Sequence, residues 1–398
     1  MKKQLKFVIN QLFEELYIVP ILILVASFNS FPLLKNLYVL FPILGLFFIL
    51  VKRVELITLL QKEKIVLLFY AFPTWAVLTA FWSLDPKTSI IRALYLGFII
   101  TVAILAGSLW FRKKENLNFL IPVNVFVVVV SVFSLLFGVP ESSWELDPIW
   151  RFQGFAAHQN TLGALVLFTS LPLIWNVFLK KTTLFQIVLL LLNIGLLIIT
   201  FSRASILSFV LIIVVLTIKF NFKLFLKILI TSIVLFGSIM LIKPELVMQP
   251  INHIIYKGSN SAYSTREKLF SDSFEAAQNG GFFGLGYGVS DPNIEAPINV
   301  GNSDSIREKG NSILALTEET GIVGLFLFFL PILLIIKSVG IREILNNKVL
   351  FSLFTFAFSL ILHSQFEGWI VGVGGFQLVI YFVLLSVMSE ELSVMGKP

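Results

Sequence analysis

Phosphate binding is the chemistry that the charged residues of this sequence invite. Arg151 and Arg203 stand at the ends of apolar runs, where a charge near hydrocarbon is costly unless something pairs or hydrates it. Arg266, Arg307 and Lys309 fall in the one long polar stretch, residues 243–321. As a set these cations suit an anion, because a guanidinium stays charged and grips phosphate oxygens through two parallel bonds. A lone arginine in such a place is as readily a snorkelling anchor or half of an ion pair. Ser264-Thr265-Arg266-Glu267 has the spacing of a capping box, which puts Arg266 in a first helical turn, beside free N–H groups and the positive dipole end. Leu269, Phe270 and Phe274 then give that helix a face to bury.

Groups able to take a proton are few. His363 and Glu367 are four apart and share a face if one helix carries both. Glu319 and His158 are the alternatives, and each of the four also suits a plain structural hydrogen bond. The run Gly280-Gly281-Phe282-Phe283-Gly284-Leu285-Gly286-Tyr287-Gly288 is no nucleotide loop, since neither a following Lys-Ser/Thr nor a strand-turn-helix frame is present. It reads as a flexible loop or a backbone cradle, with Gly284 and Gly286 approaching a sugar or phosphate. Cys is absent, and neither clustered His and carboxylates nor a D-x-D pair in the outer loops marks a metal site.

The elements that must hold these groups are membrane helices. With 57% hydrophobic and 13% charged residues and a mean hydropathy of +0.92, the chain is too apolar for a soluble globule. Apolar runs near 20 residues point to helices, which satisfy their own backbone in lipid. The fold expected is all-α: a single polytopic membrane domain over residues 1–398 with about 12 transmembrane helices. Spans read at 18–34, 36–51, 65–82, 89–111, 117–139, 160–179, 183–201, 203–220, 222–243, 321–337, 349–366 and 369–388, and residues 244–320 form one large loop between the ninth and tenth. Residues 1–16, apolar on one side and preceding no small-residue cleavage site, suit an interfacial helix rather than a leader. Gly372, Gly374 and Gly375 read as close-packing positions of the last span.

Most of the Lys and Arg residues sit in short loops between the spans, including Lys52-Arg53, Arg112-Lys113-Lys114 and Lys180-Lys181. That is a topology signal and not a nucleic-acid patch: with both termini in the cytoplasm, these loops lie inside and the long polar stretch faces outward.

At the ends of two spans a resemblance enters. Arg151-Phe152-Gln153-Gly154 through His158-Gln159-Asn160, and Ser202-Arg203-Ala204, resemble the R-x-x-G…N and S-R-[AG] signatures of the O-antigen ligase and polysaccharide polymerase superfamily. Trp82-Ser83-Leu84-Asp85-Pro86 is similar to its early outer loop. Arg266, then Gly284-x-Gly286, then Asn311 through Glu319-x-Gly321 follow the order of its large periplasmic loop. The resemblance implies a metal- and cofactor-independent glycosyltransferase of the bacterial inner membrane, working at the periplasmic face. It implies an undecaprenyl-diphosphate-linked oligosaccharide donor, a glycan or lipid acceptor, membrane lipids around it, and a chain-length regulator as a further partner. Arg203 and Arg266 match the arginines that would bind the donor diphosphate. Ligases of the superfamily typically carry His immediately before the Asn of the last motif, where this sequence has Gly310, so a repeat-unit polymerase is expected ahead of a ligase. A transporter of an anionic lipid is a third reading, which would place charges near the bilayer midplane and show two similar halves.

Overall fold

Runs of Leu, Ile, Val and Phe punctuated by Asn, Gly, Pro and Lys form helices along most of the described residues. The computed structural model describes residues 17–62, 64–114, 116–145, 151–179, 182–242, 264–294 and 309–395. The helix expected over residues 1–16 lies outside the described residues, as do Arg307 and the side chains of Ser264, Thr265 and Arg266. In chain order the helices are α1 (Ile18–Ser27), α2 (Leu40–Val51), α3 (Arg53–Lys62), α4 (Lys64–Leu68), α5 (Ala71–Leu78), α6 (Pro86–Lys114), α7 (Ile121–Phe137), α8 (Gln159–Leu179), α9 (Leu184–Thr200), α10 (Arg203–Phe220), α11 (Phe222–Ile242), α12 (Ser264–Gly280), α13 (Ser312–Val339), α14 (Ile341–Asn346), α15 (Lys348–Ser364) and α16 (Phe376–Val394). A two-residue antiparallel pair, β1 (Trp144–Glu145) with β2 (Arg151–Phe152), sets Trp144 opposite Phe152 and Glu145 opposite Arg151.

The protein is an all-helical membrane protein. Among the described residues six helices are long and apolar enough to cross a bilayer: Pro86–Lys113, Asn118–Phe137, Gln159–Leu179, Arg203–Phe220, Ser312–Val339 and Phe376–Val394. A seventh crossing arises if the pair Lys35–Val51 and Arg53–Gln61, bent by 72°, is one broken span. Ile18–Ser30, Ile65–Phe81, Leu184–Thr200 and Lys348–Ser364 are apolar but shorter.

The contacts gather into two compact units. One contains residues 17–123, 269–353 and 364–395; the other contains 124–268 and 354–363. In the first, α6 and α16 approach closely because Gly107 lies against the carbonyl of Val383 and the side chain of Ser386, whose hydroxyl donates to Ile104 O at 2.7 Å. The same helices are tied further along by Glu390, which accepts from Ser108 Oγ and, at 2.6 Å, from Arg112 Nε. Asp85 precedes α6 and takes both the amide and the hydroxyl of Thr88, at 3.1 and 2.5 Å. The hydroxyl bond, before the amide, holds its carboxyl below the usual carboxylate range.

In the second unit Asn124, Thr169 and Asn193 are buried on three apolar helices and satisfy one another. Asn124 Nδ2 donates to Thr169 Oγ1 and to Asn193 Oδ1, both at 2.8 Å, and Asn193 Nδ2 returns a bond to Asn124 Oδ1 at 2.9 Å. A polar side chain in such surroundings is tolerated when it is paired, and the pairing fixes which helix faces meet.

Several boundaries differ from those read in the sequence. The last helix starts at Phe376 and not near residue 369, so Gly372, Gly374 and Gly375 lie in the loop before it, with Gly374 at φ +104°. The face of α12 that packs is made of Ser273, Ala276, Ala277 and Gly280, while Phe274 is 58% exposed. Small residues win there because Gly280 sits directly on the backbone of Thr317 and Glu318, which a large side chain would hold apart. The run expected to open a span at Gly321 is entered by helix already from Ser312, and the two stretches meet at a break.

That break organises the first unit. Gly321 has φ +70° and ψ −177° inside α13, a region open to glycine alone. Breaking a helix strands carbonyls before the break and N–H groups after it, and the glycine run takes them up. Leu285 N and Gly286 N donate to Glu318 O and Glu319 O at 2.9 and 3.0 Å, and Trp75 Nε1 reaches Thr320 O at 2.8 Å. Ile322 N and Val323 N donate to Gly281 O and Phe282 O at 3.1 and 3.3 Å. Adding a side chain at Gly321 meets the carbonyl of Phe282 as well as a forbidden conformation. We therefore expect Gly321→Ala to cost roughly 1–3 kcal/mol from conformation alone, seen as a lower thermal unfolding midpoint in detergent, while Gly195→Ala, inside α9 where nothing lies near, leaves the midpoint no lower.

Candidate functional site

In the second unit the first turns of α8 and α10 adjoin, because Gly163 of α8 packs on the side chains of Ser202 and Ser205. Arg203 is the first residue of α10 and half-buried. The turn before it is unusual: Phe201 takes the left-handed conformation at φ +51°, which a bulky residue rarely adopts. Arg151, buried, sits in β2, and the chain then turns through Gly154, φ +54°, towards α8. His158 is exposed immediately before α8, and its Nδ1 accepts from Asn160 N at 3.2 Å. With Nδ1 accepting, the ring's proton sits on Nε2. His363 of α15 is fully buried, with Nε2 3.1 Å from Ser205 Oγ. The unit thus places His158 and Asn160 at the start of α8 and Arg203 at the start of α10, two helix N-termini that adjoin, with Arg151 in the strand from which the chain turns towards α8; an arginine at a helix N-terminus favours an anion. Arg266 lies in the opening turn of α12.

In the first unit the site residues take part in the helix break. Lys309 is buried and its Nζ lies 2.6 Å from Glu319 Oε1 and 3.1 Å from Glu318 Oε2. The second oxygen of Glu319 accepts from Gly288 N at 2.7 Å, and Glu318 Oε1 accepts from Asp291 N at 2.9 Å. Asp291, also buried, takes bonds from Asn279 Nδ2 and Asn293 N at 2.7 and 2.9 Å. Arg92 Nη1 and Nη2 donate to Gly288 O and Val371 O at 3.3 and 2.9 Å. Tyr287 is fully buried beside this cluster. Desolvation first, and then the Glu319 carboxylate, push its phenol well above its usual range, against the pull of Arg92.

Asn311 caps α13, accepting from Leu314 N at 3.0 Å, and donates to Gln365 O at 3.2 Å. Ser312 Oγ donates to Glu367 O at 3.2 Å. These bonds engage a chain that has already left the helix: α15 ends at Ser364, so His363 and Glu367 share no helical face, contrary to the reading of their spacing. Gly284, φ +80°, lies against the backbone of Glu319 and Thr320, and Gly286, φ +119°, against Ser83. Their missing side chains make room for protein. Gly310 lies under Leu269, whose Cγ would be 2.8 Å from an added Cβ, so a His at this position requires Leu269 to move.

Glu318, Asp291, Arg92, Ser202 and Ser205 are site-forming residues that the sequence does not single out. Ser202 and Ser205 flank Arg203 in its own motif, a signal available in principle. Arg92 meets a carbonyl 196 positions away, and no local pattern announces that. Among the described residues no group of three or more His, Cys, Asp or Glu is arranged to hold a metal ion.

Residues 188–329 match a family described as O-antigen ligase. The match takes in Arg203, Arg266, Gly284, Gly286, Lys309, Asn311 and Glu319, and it leaves out Arg151, His158, Asn160, His363 and Glu367. No curated protein matches the chain.

Removing Lys309 leaves two carboxylates facing each other in the core. Lys309→Met is expected to destabilise by about 3–5 kcal/mol, the usual cost of breaking a buried ion pair. Adding Glu318→Gln and Glu319→Gln in the same chain should recover most of the loss, as read by thermal unfolding in detergent.

Proposed function

Starting from the match of residues 188–329 to a family described as O-antigen ligase, we propose a membrane glycosyltransferase that moves a glycan from undecaprenyl diphosphate onto an acceptor hydroxyl. The reaction takes place at the outer face of the bacterial inner membrane, and the acceptor is the next lipid-linked repeat unit. The observation that carries this reading is the position of Arg203 at the opening of α10, beside the start of α8 with Arg151, His158 and Asn160 leading into it. Twelve crossings result when the four shorter apolar helices and α11 are added to the six long helices and the bent pair, of which six, or seven with the bent pair, are long and apolar enough on their own. Both termini are then cytoplasmic, and residues 244–320 are on the outside.

The chemistry asks for little beyond charge and position. The acceptor oxygen forms a bond to the anomeric carbon as the bond from that carbon to the diphosphate oxygen breaks, and the acceptor proton leaves with the base or the departing diphosphate. Negative charge grows on the leaving group, and arginines held in place lower the barrier by stabilising it. Arg203 and Arg266 take that role, and Arg151 supports the same end. The buried cluster of Lys309, Glu318 and Glu319 has a different task, holding the broken helix and the glycine run. No metal is required, because the leaving group's charge is met by guanidinium groups. A chain-length regulator is the expected partner of such a polymerase.

A second reading, in keeping with a family described as O-antigen ligase, is ligation of the glycan to another acceptor such as lipid A–core. Incubating the purified protein with lipid-diphosphate oligosaccharide, alone or with lipid A–core, separates the two: longer lipid-linked chains mark a polymerase and modified lipid A–core a ligase. Translocation across vesicles with no new glycosidic bond refutes both. In cells, Arg203→Ala and Arg266→Ala should abolish long glycan chains at unchanged protein abundance; normal ladders in both variants refute the assignment.

A further inference from the structure

We infer that His363 acts as a positioning residue, through Ser205, for the turn that carries Arg203, and does not take the acceptor proton. The inference rests on the glycosyl transfer proposed at Arg203. Ser202, Ser205 and His363 are all fully buried. Ser202 Oγ donates to Ser205 Oγ at 2.9 Å, and Ser205 Oγ lies 3.1 Å from His363 Nε2. Ser205 Oγ accepts from Ser202 and stands against His363 Nε2, so Nε2 is engaged by a serine inside the protein whichever ring nitrogen carries the proton. A general base has to reach the acceptor hydroxyl with a ring nitrogen, directly or through one water, and in this fully buried ring Nε2 is already committed to Ser205.

The arrangement has the form of a clamp. The edge of Phe168 meets the imidazole at 5.7 Å and 89°, fixing the ring plane from α8. Gly163 brings α8 so close that an added Cβ would lie 2.8 and 2.9 Å from the hydroxyls of Ser202 and Ser205. Ser202 N also donates to Thr200 Oγ1 at 3.3 Å. Between these bonds stands Phe201 in its left-handed conformation. Such a backbone persists only where its surroundings over-determine it, and the bonds from Thr200 to His363 are those surroundings. Arg203 follows directly, so the direction of its guanidinium depends on a turn that relaxes when the hydrogen bonds are cut.

Steady-state kinetics of the purified protein with a lipid-diphosphate oligosaccharide donor test this. Gln at 363 places an oxygen acceptor where Nε2 was but cannot serve as a base, so His363→Gln is expected to stay within about threefold of wild type, with the same pH–rate profile. His363→Leu and Ser205→Ala should each raise the donor KM by about tenfold, the order expected from a sub-ångström misplacement, with a smaller change in kcat. The double variant should be no worse than the poorer single, because the two act as one unit. Loss of about 10²- to 10⁴-fold in kcat in His363→Gln, or loss of a limb of its pH profile, marks a base and overturns the inference. Additive losses for Ser205→Ala and His363→Leu overturn it as well. Should His363→Leu fail to fold, the comparison of wild type with His363→Gln decides alone. Wild-type protein that forms no glycosidic bond overturns the proposed function itself; active wild type with a crippled His363→Gln overturns only this inference.

Discussion

Backbone groups that cannot reach water must find partners within the protein, and the break in α13 at Gly321 makes that requirement local and severe. Two carbonyl oxygens before the break and two N–H groups after it bond to the glycine run, and a third carbonyl bonds to the indole of Trp75. The positive φ values at Gly281, Gly284, Gly286 and Gly288 give the run the curvature to meet both sides of the gap. Irregular backbone within a membrane protein survives only when it is enclosed in this way. The charged pairs follow from the same geometry: Glu318 and Glu319 stand just before the break, and Lys309 with the amides of Gly288 and Asp291 satisfies them.

The second unit solves a similar problem with side chains. Asn124, Thr169 and Asn193 pair inside apolar helices, and Ser202, Ser205 and His363 form a second buried chain near the start of α10. Both networks specify which helix faces meet, since a partner missing from either would leave a polar atom in an apolar interior. Buried serines and a buried histidine flanking an arginine also explain how a half-exposed cation can be presented in one direction. A guanidinium on a relaxed turn would sample many orientations and lose its two-point grip on a phosphate.

Much of this was legible in the residues, and the losses have particular causes. Spans rich in Leu, Ile and Val appear as helices, and the motif carrying Arg203 does open one. The spacing of His363 and Glu367 failed because Ser312 and Asn311 capture the carbonyls of Glu367 and Gln365, after the helix has ended at Ser364. Phe274 was expected inward from its hydrophobicity, yet the close approach of Gly280 to α13 reserves that face for small residues. Lys309 reads as an outer cation until its two carboxylates are seen.

By itself the sequence determined that the chain is a helical membrane protein, where its breaks in hydropathy fall, and which superfamily signatures it carries. Those are properties of short segments, decided by the transfer of apolar side chains and by local motifs. Only the tertiary structure decided which charges are paired, which glycines make room for protein and which face His363 shows to Ser205, 158 positions away. Such pairings rest on the burial and hydrogen bonding of groups far apart in the chain, and no local periodicity encodes them.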